Sequence, residues 1–302
     1  MFNFTNEQKS YFYGFFTVLI WGSFIAISKI NLKDLDSFQV LFYTSFIASL
    51  ITFLILIYQK KISHLKVISL SQIFKLSLIS LPAFLYYLFY YIALKIIPVT
   101  EAAALNYLWP LAVVFFAVVL FKEKVTKTKI IAILLGIIGC SIVITRGNIF
   151  QYKFTNLLGD LITITAALSW GLFSNLGKKN KFDQTISYFV FFLTIFLFSI
   201  PSMLLFSTFQ IPRLNNVWGL LWIGILNLSI SYHLWFKALK LGDIAKLSNL
   251  MYFTPFVALV WIAIMLKENI LPIQLFGLLF ILFGSFIQSL HSRRRNTKLE
   301  YS

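Results

Sequence analysis

The chain contains one stretch of sequence twice. Residues 90–123 read YYIALKIIPVTEAAALNYLWPLAVVFFAVVLFKE, and residues 235–268 read WFKALKLGDIAKLSNLMYFTPFVALVWIAIMLKE. The two stretches align without a gap at an offset of 145 residues, so we expect two halves that share an arrangement of helices. The matched pairs are Ala93 with Ala238, Leu94 with Leu239, Lys95 with Lys240, Tyr107 with Tyr252, Pro110 with Pro255, and Lys122-Glu123 with Lys267-Glu268.

Apolar segments long enough to cross a membrane fill the chain. It is 59% hydrophobic and 12% charged, with a mean hydropathy of +0.85, whereas soluble domains carry about 25% charged residues. A helix of roughly 20 apolar residues crosses a hydrocarbon core of about 30 Å. We therefore predict an all-α integral membrane protein of ten transmembrane helices, with short loops and no soluble domain. The predicted spans are residues 11–30, 37–58, 73–94, 100–121, 128–145, 157–176, 185–207, 216–239, 244–266 and 271–290.

Charge and cysteine content exclude several classes of protein. The net charge of +16 does not indicate nucleic-acid binding, because the basic residues lie between apolar spans, where anionic lipid head groups are. Cys140 is the single cysteine, which excludes a disulfide framework and a thiolate metal cluster. The first ten residues do not resemble a cleavable signal peptide, so the first apolar run is interpreted as a permanent span. We expect no cofactor and no nucleic acid, with the lipid bilayer as a partner.

Basic residues are distributed unevenly between the two sides of the predicted bundle. With the N-terminus in the cytoplasm, 19 of the 26 lysine and arginine residues fall on the cytoplasmic side and 7 on the other. Basic residues favour cytoplasmic loops. The count therefore predicts that both termini are cytoplasmic, which requires an even number of spans.

The repeat starts again after five spans, and an odd number of spans turns the second half upside down. Matching loops agree with this inversion, because their charges are exchanged. The loop after span 4 carries four lysines and its counterpart after span 9 carries one, while the loop after span 3 carries one and its counterpart after span 8 carries three. We predict two inverted five-helix repeats, residues 1–147 and 148–292, followed by a basic cytoplasmic tail, residues 293–302.

A Trp-Gly pair occurs in the first span of both halves, at residues 21–22 and 170–171. Together with a proline and a Lys-Glu ending in spans 4 and 9, this layout resembles the drug/metabolite transporter superfamily, EamA type, over almost the whole chain. The string Ala-Leu-Asn-Tyr-Leu-Trp-Pro at residues 104–110 resembles the aromatic amino acid exporter branch. The resemblance implies a basket-like bundle with a substrate cavity near the midplane of a bacterial plasma (inner) membrane. Related branches move sugars, nucleotide conjugates, cations or S-adenosylmethionine, so the fold does not determine the substrate.

Pro110 and Pro255 occupy equivalent positions in the middle of spans 4 and 9. A proline inside a helix removes one N–H donor and kinks the helix. Two kinks at symmetric positions would open a cavity between the two spans. The alternative is that both prolines only shape helix packing.

Several polar and aromatic side chains lie close to these prolines. Asn106 lies four residues before Pro110, and its amide would either occupy a freed carbonyl or bind a substrate. Trp109 would either contact a substrate or belong to an interfacial aromatic belt. In the second half, Ser248, Asn249 and Tyr252 fall within one turn and are candidates for the same cavity.

Spans 1, 3 and 6 supply the other candidates. Trp21 and Trp170 would face the same path, with close helix packing through the adjacent glycines as the alternative. The full predicted substrate cavity consists of Trp21, Tyr86, Tyr90, Asn106, Trp109, Pro110, Trp170, Asn175, His233, Ser248, Asn249, Tyr252 and Pro255.

His233 is a titratable side chain deep within a predicted span, and such residues are candidates for function. Its alternative is a neutral imidazole that hydrogen-bonds to Asn227 or Tyr232. No aspartate or glutamate lies at the centre of any predicted span, which disfavours proton-coupled antiport of cations. An uncharged cavity lined by aromatic and amide groups favours a zwitterionic or neutral substrate.

These observations predict a secondary transporter that exports a small metabolite, most favourably an amino acid, by alternating access. One alternative is an importer or exchanger of another metabolite, such as S-adenosylmethionine. A membrane-embedded enzyme or assembly factor is disfavoured, because no pair of catalytic groups, metal cluster or phosphate loop supports it. We therefore expect that the chain is not an enzyme and that it binds no metal.

Overall fold

The structure is a computed structural model that describes residues 5–65, 68–122, 126–145, 147, 156–177, 182–242, 247, 250–251 and 253–300. Ten helices follow one another in this part of the chain, and it contains no strand. The fourth helix is broken in two, and the eighth contains a π-helical stretch. The bounds are α1 Asn6–Asn31, α2 Ser37–Tyr58, α3 Leu70–Ile96, α4a Val99–Asn106, α4b Trp109–Phe121, α5 Lys127–Thr145, α6 Leu157–Gly177, α7 Gln184–Phe206, α8 Leu214–Leu241 with the π-helical stretch Trp222–Ile230, α9 Thr254–Leu266 and α10 Pro272–Glu300, with one further turn at Ile62–Leu65.

The helices are suited to a lipid bilayer in length and composition. Seven of them in the described residues are long and apolar enough to cross a membrane, with α4a and α4b taken together. Apolar stretches at Ile130–Gly139, Thr254–Leu266 and Pro272–Gly284 supply the other three spans. Large apolar side chains are exposed around the outside of the bundle, where acyl chains would cover them. The predicted all-α membrane fold of ten helices is confirmed.

Side-chain hydrogen bonds show which helix ends meet at each end of the bundle. At the end that holds the start of α1, called face A, the Ser10 hydroxyl donates to the carbonyl of Ala238 near the end of α8, at 2.8 Å. At the opposite end, face B, the Thr100 hydroxyl in α4a donates to the Glu268 carboxylate just after α9, at 2.9 Å. Consecutive helices run in opposite directions, so the ten helices bring α10 back to face A.

The helix contacts are unchanged when five is added to each helix number. α5 packs against α10 and α2 against α7, so these helices meet their own counterparts. α3 packs on α6 as α8 packs on α1, and α4b packs on α6 as α9 packs on α1. Two inverted repeats related by a pseudo-two-fold axis in the membrane plane produce this pattern. The inverted five-helix repeat that the lysines predicted is therefore present.

The glycines of the two Trp-Gly pairs make equivalent close contacts. A Cβ atom at Gly22 would lie 2.5 Å from the Val257 side chain in α9, and one at Gly171 would lie 2.5 Å from the Ala112 side chain in α4b. Ala112 and Val257 are themselves 145 residues apart. The absence of a side chain thus allows α1 to approach α9 and α6 to approach α4b. This is the packing role that was the alternative reading of the Trp-Gly pairs.

α3 and α8 are both irregular near their centres, but by different means. α3 contains Pro82, which cannot donate a backbone hydrogen bond. The offset of 145 places Pro82 opposite Asn227, which lies in the π-helical stretch of α8. The Asn227 amide donates to the carbonyl of Ile20 in α1, so the widened turn of α8 is tied to its neighbour. The sequence indicates the first irregularity through its proline and contains no comparable signal for the second.

Candidate functional site

Tyr87 and Tyr232 lie on the pseudo-two-fold axis. Their hydroxyl groups are 3.1 Å apart and hydrogen-bond to each other, and the two residues are separated by the repeat offset of 145. Residues related by a two-fold axis touch one another only where the axis passes between them. This pair therefore marks the centre of the molecule, where α3 of one half meets α8 of the other.

The two predicted tryptophans flank the axial tyrosines in equivalent positions. The ring of Trp21 stands edge to face against Tyr232, with centroids 5.5 Å apart, and the ring of Trp170 does the same against Tyr87 at 6.2 Å. Such edge-to-face pairs are the favoured geometry of aromatic rings. The structure thus brings Trp21 and Trp170 together with the axis from opposite sides.

Polar atoms on the first half are left without partners beside these rings. The ring centroids of Tyr86 and Trp170 are 4.8 Å apart. The Tyr86 hydroxyl accepts a long hydrogen bond of 3.4 Å from the Asn106 amide. The Asn106 carbonyl oxygen and the Tyr90 hydroxyl are buried and have no hydrogen-bond partner. Buried polar groups are ordinarily paired, so these two atoms are candidates for contact with a substrate.

The equivalent positions on the second half are paired internally. Ser231 stands where the first half has Tyr86, and its hydroxyl accepts a hydrogen bond of 2.7 Å from the Trp21 indole. Trp235 stands where the first half has Tyr90, and it packs at 5.9 Å from Trp21. We call Trp21, Tyr86, Tyr87, Tyr90, Trp170 and Tyr232 the axial cluster. Its two sides share a ring geometry and differ in polar chemistry.

The two predicted prolines sit at helix starts rather than at kinks inside continuous helices. Pro110 lies in the first turn of α4b, directly after the break at Tyr107 and Leu108, and Pro255 lies in the first turn of α9. Proline is favoured there because the first helical N–H groups have no partner within the helix. Trp109 is the first residue of α4b and packs, half-buried, against the core. The break therefore positions Asn106 and Trp109 on either side of an interrupted helix.

Of the other candidates, one connects two helices and three lie outside the described residues. Asn175 is buried, and its amide donates to the carbonyls of Val113 and Gly171, both at 2.9 Å, which fastens α6 to α4b. Ser248, Asn249 and Tyr252 lie outside the described residues.

His233 is bonded to its own helix rather than to Asn227 or Tyr232. Its Nδ1 atom lies 2.9 Å from the carbonyl of Ser229, and its Nε2 atom is buried without a partner. Its ring lies 5.5 Å from that of Tyr188 in α7. His233 is thus separate from the axial cluster and belongs to a neighbouring region nearer face A.

That region contains a cavity of about 180 Å³ between α3, α6 and α7, on the face A side of the axial cluster. Its wall includes Phe173, which packs at 5.2 Å against Trp170 of the axial cluster. The cavity is therefore separated from the axial cluster by one aromatic contact. It is lined by Leu76, Ile79, Ser80, Phe173, Gly177, Phe182, Gln184, Ser187, Tyr188 and Phe191.

The equivalent place at face B is filled. Phe24 and Ser28 in α1 correspond to Phe173 and Gly177 in α6, and they are 8% and 0% exposed. In α8, Gly224 packs so closely on α2 that an added Cβ would lie 2.6 Å from the Cβ of Ile47. Among the described residues, a cavity thus lies on the face A side of the axial cluster, and the equivalent positions on the face B side are packed.

A second and larger cavity, about 640 Å³, lies between α5, α9 and α10 on the outside of the bundle. Leucine and phenylalanine side chains line it throughout. Its described lining contains no polar side chain that could orient a substrate, and it includes no residue of the axial cluster. We assign it to the lipid-facing surface.

The electrostatics of the interior differ from those of the two faces. None of the residues of the axial cluster carries a charge. At face A, burial acts to raise the pKa of the Asp183 carboxyl. The Lys61 ammonium at 2.7 Å and two backbone N–H groups stabilise the carboxylate more strongly than burial destabilises it. The pKa of Asp183 therefore lies below its usual value. In the described residues, no group of three or more histidine, cysteine, aspartate or glutamate side chains could hold a metal ion.

Sequence reasoning missed Tyr87 and Tyr188, which the structure places on the pseudo-two-fold axis and in the wall of the cavity, respectively. Tyr87 could have been found, because the offset of 145 continues three residues beyond the repeated stretch and pairs it with Tyr232. Tyr188 follows an α7 cap, Asp183, whose counterpart Asp36 caps α2 at an offset of 147. The two caps are related by an offset of 147 residues, whereas the repeated stretch has an offset of 145. A search with a single offset therefore does not pair the two caps.

Comparison with known proteins agrees with this fold. The model of the EamA-like transporter family matches residues 8–145 and again residues 157–290. An uncharacterized transporter of Archaeoglobus fulgidus is 27% identical over 266 residues, which cover 84% of this chain and 88% of that protein. A protein named aromatic amino acid exporter YddG, from Ancylobacter novellus, is 27% identical over 171 residues, or 56% of this chain and 60% of its own. A solved crystal structure with 22% identity superposes with a TM-score of 0.67 over 94% of this chain and 98% of its own, which shows a shared fold.

The family model matches each of the two inverted halves separately, and the matches together span most of the chain. The fold, with its helices suited to a bilayer and its axis between two similar halves, is that of a membrane transporter. The chain belongs to the EamA-like transporter family.

Proposed function

We propose that this transporter exports amino acids, with aromatic side chains as the best fit, across a bacterial plasma membrane. In this proposal face A is the cytoplasmic face, as the distribution of lysine and arginine predicts. The substrate enters from face A, occupies the axial cluster and leaves at face B. Its own concentration gradient is sufficient to set the direction of flux.

The observation that carries the proposal is an uncharged aromatic site on the axis. The rings of Trp170 and Tyr86 pack against each other with centroids 4.8 Å apart, and a substrate ring stacked on either would gain about 0.5–1.5 kcal/mol beyond the burial of its area. The Asn106 carbonyl oxygen and the Tyr90 hydroxyl offer hydrogen bonds without a net charge. A zwitterion needs no counter-ion in the site, but its ammonium and carboxylate each need hydrogen-bond partners there, and these two polar atoms are candidates for that role.

The name of one relative supports the same substrate class. The sequence string at residues 104–110 lies at the break between α4a and α4b, beside Tyr86. The relative from Ancylobacter novellus that is 27% identical to this chain bears the name aromatic amino acid exporter.

Alternating access follows from the difference between the two faces. The cavity beside Phe173 gives access from face A, while the equivalent region around Phe24 is packed. Because the halves share one fold, exchanging their local packing would close face A and open face B around an unchanged axis. Phe173 and Trp170 provide a continuous aromatic surface between the cavity and the site.

Flux into proteoliposomes tests this function. We expect labelled phenylalanine, tyrosine or tryptophan to equilibrate faster than through protein-free vesicles, and faster than lysine or S-adenosylmethionine. Trp170→Ala should lower the rate at least about tenfold and Trp170→Phe much less, because the ring face is what the substrate contacts. Trp218→Ala is the matched control, since Trp218 is 72% exposed on the outside of the bundle. Flux of S-adenosylmethionine without flux of any amino acid would refute the proposal in favour of the other substrate class.

A further inference from the structure

The Nε2 atom of His233 is a buried polar atom on a partly buried side chain, and the transport path described above does not use it. It lies in α8, within the second half, where the first half has the buried apolar residue Leu88. The repeat therefore does not require a polar side chain at this position. A hydrogen-bonding group that appears in one copy alone points to a task that the two copies do not share.

The hydrogen bonding of the ring determines which nitrogen is available. Nδ1 lies 2.9 Å from the carbonyl oxygen of Ser229, and a carbonyl only accepts, so Nδ1 carries the hydrogen. Nε2 of the neutral ring is then an acceptor. It is buried and has no partner, although an unpaired buried acceptor costs about 1–3 kcal/mol. A ligand that donates a hydrogen bond would remove this cost.

Tyr188 connects this acceptor to the cavity at face A. The Tyr188 ring lines the cavity and also stands 5.5 Å from the His233 ring. It packs on Tyr232 of the axial pair as well, at 5.2 Å. One aromatic side chain thus lines the cavity and packs against both the His233 ring and Tyr232 of the axial pair. The His233 ring is therefore one side chain away from the cavity.

The cavity itself fits one part of a substrate. Its volume of about 180 Å³ equals roughly six water molecules at about 30 Å³ each. Phe173, Phe182 and Phe191 contribute apolar walls, and Gln184 and Ser187 contribute polar ones. This combination suits an aromatic side chain with a polar group at one end.

We propose that His233 Nε2 accepts a hydrogen bond from the ammonium group of an amino acid held in the cavity at face A, before the substrate reaches the axial cluster. The inference rests on the proposed amino acid transport and adds a loading site with a named polar contact. The ligand class is a primary ammonium on an apolar, preferably aromatic, body. The carboxylate of the substrate makes no contact with His233.

Three ligands that differ in one group each test this assignment: phenylalanine, phenethylamine without the carboxylate, and 3-phenylpropionate without the ammonium. Binding to purified full-length protein is measured by calorimetry for the wild type, His233→Leu and His233→Gln. Leucine is the residue of the first half at this position, and glutamine retains an acceptor. Thermal melting of each variant verifies the fold.

We expect His233→Leu to weaken phenylalanine and phenethylamine at least about tenfold, a change of about 1.4 kcal/mol, and to leave 3-phenylpropionate unchanged. His233→Gln should recover part of the loss. Unchanged binding of phenethylamine by His233→Leu, or a loss confined to 3-phenylpropionate, overturns the inference while the transport proposal stands. A wild-type protein that binds none of the three ligands and moves no amino acid overturns the transport proposal, and this inference with it.

Discussion

The cavity beside Gly177 at face A and the packed region around Ser28 at face B are formed by equivalent segments of the two halves. One segment borders a cavity, and the other is packed. Both are built from a Trp-Gly helix, with Phe173 and Phe24 at equivalent positions and identical in kind. One leaves a cavity of about 180 Å³, and in the other Phe24 is 8% exposed and Ser28 fully buried. The side chains around the two positions also differ, since Gly177 stands where the other half has Ser28, and Ile79 stands where it has Gly224. The two regions therefore differ both in side chains and in packing.

The largest effect is expected from placing a bulky ring at both positions. Ser28→Trp should prevent folding or lower stability by more than about 3 kcal/mol, because the site is fully packed. Gly177→Trp should fold normally, since nothing lies within 4 Å of a Cβ there, but it should abolish flux by filling the cavity. Thermal melting and proteoliposome flux separate the two outcomes. Normal melting of Ser28→Trp would show that face B is not packed as described.

Thiol accessibility sharpens the comparison without adding bulk. In a Cys140→Ala background, a cysteine at position 177 should react with a small maleimide at least about tenfold faster than a cysteine at position 28. The reason is that position 28 becomes accessible only by local opening, which costs about 1.4 kcal/mol or more. The rates are measured in detergent and again in vesicles. Equal rates at the two positions would contradict the asymmetry between the faces.

The axial pair joins the two regions, and its removal should have a moderate effect. Tyr87→Phe and Tyr232→Phe should each lower stability by about 0.5–1.5 kcal/mol, because each breaks the same hydroxyl–hydroxyl bond of 3.1 Å. The double variant should cost little more than either single one, as in a double-mutant cycle for directly coupled groups. Additive losses in thermal melting would mean that the two hydroxyls act independently.

The smallest effect is expected at the ion pair that fastens α2 to α7 at face A. The pKa of Asp183 lies below its usual value, so the stabilisation is present above the unfolded pKa of about 3.9 and is lost as the pH falls through the lower folded value. Both side chains are partly exposed, so the loss is a few tenths of a kcal/mol, roughly. Asp183→Asn should remove this part of the acid dependence of melting. Asp36→Asn, at the equivalent cap of α2, should leave it unchanged, since the Asp36 side chain pairs with the Ser207 hydroxyl rather than with a lysine.

Most of the architecture could be predicted because it depends on patterns repeated along the chain. The offset of 145 and the exchange of lysines between matching loops were sufficient for ten helices in two inverted halves. The Trp-Gly pairs make the close helix contacts that were one of their two predicted roles, whereas the prolines begin helices instead of kinking them. Each of these signals survives in a linear sequence because it concerns residue type and spacing.

The site was predicted less completely, because its details depend on competition between partners in three dimensions. Asn175 has the residue type expected of a cavity, but two nearby carbonyls take its amide hydrogens. Pro110 indicates a disturbed helix, yet only the structure distinguishes a kink from the break at residues 107–108. Nothing in the residue types of α8 distinguishes a π-helical stretch from an ordinary turn.

The contact between Tyr87 and Tyr232 has a consequence for how such a chain arises. A five-helix protein that paired with an inverted copy of itself would set this tyrosine against its own duplicate, so one codon would encode both sides of the contact. Duplication and fusion of that gene would give each side a codon of its own. The neighbouring position shows what that independence permits, because Leu88 now follows one tyrosine and His233 follows the other.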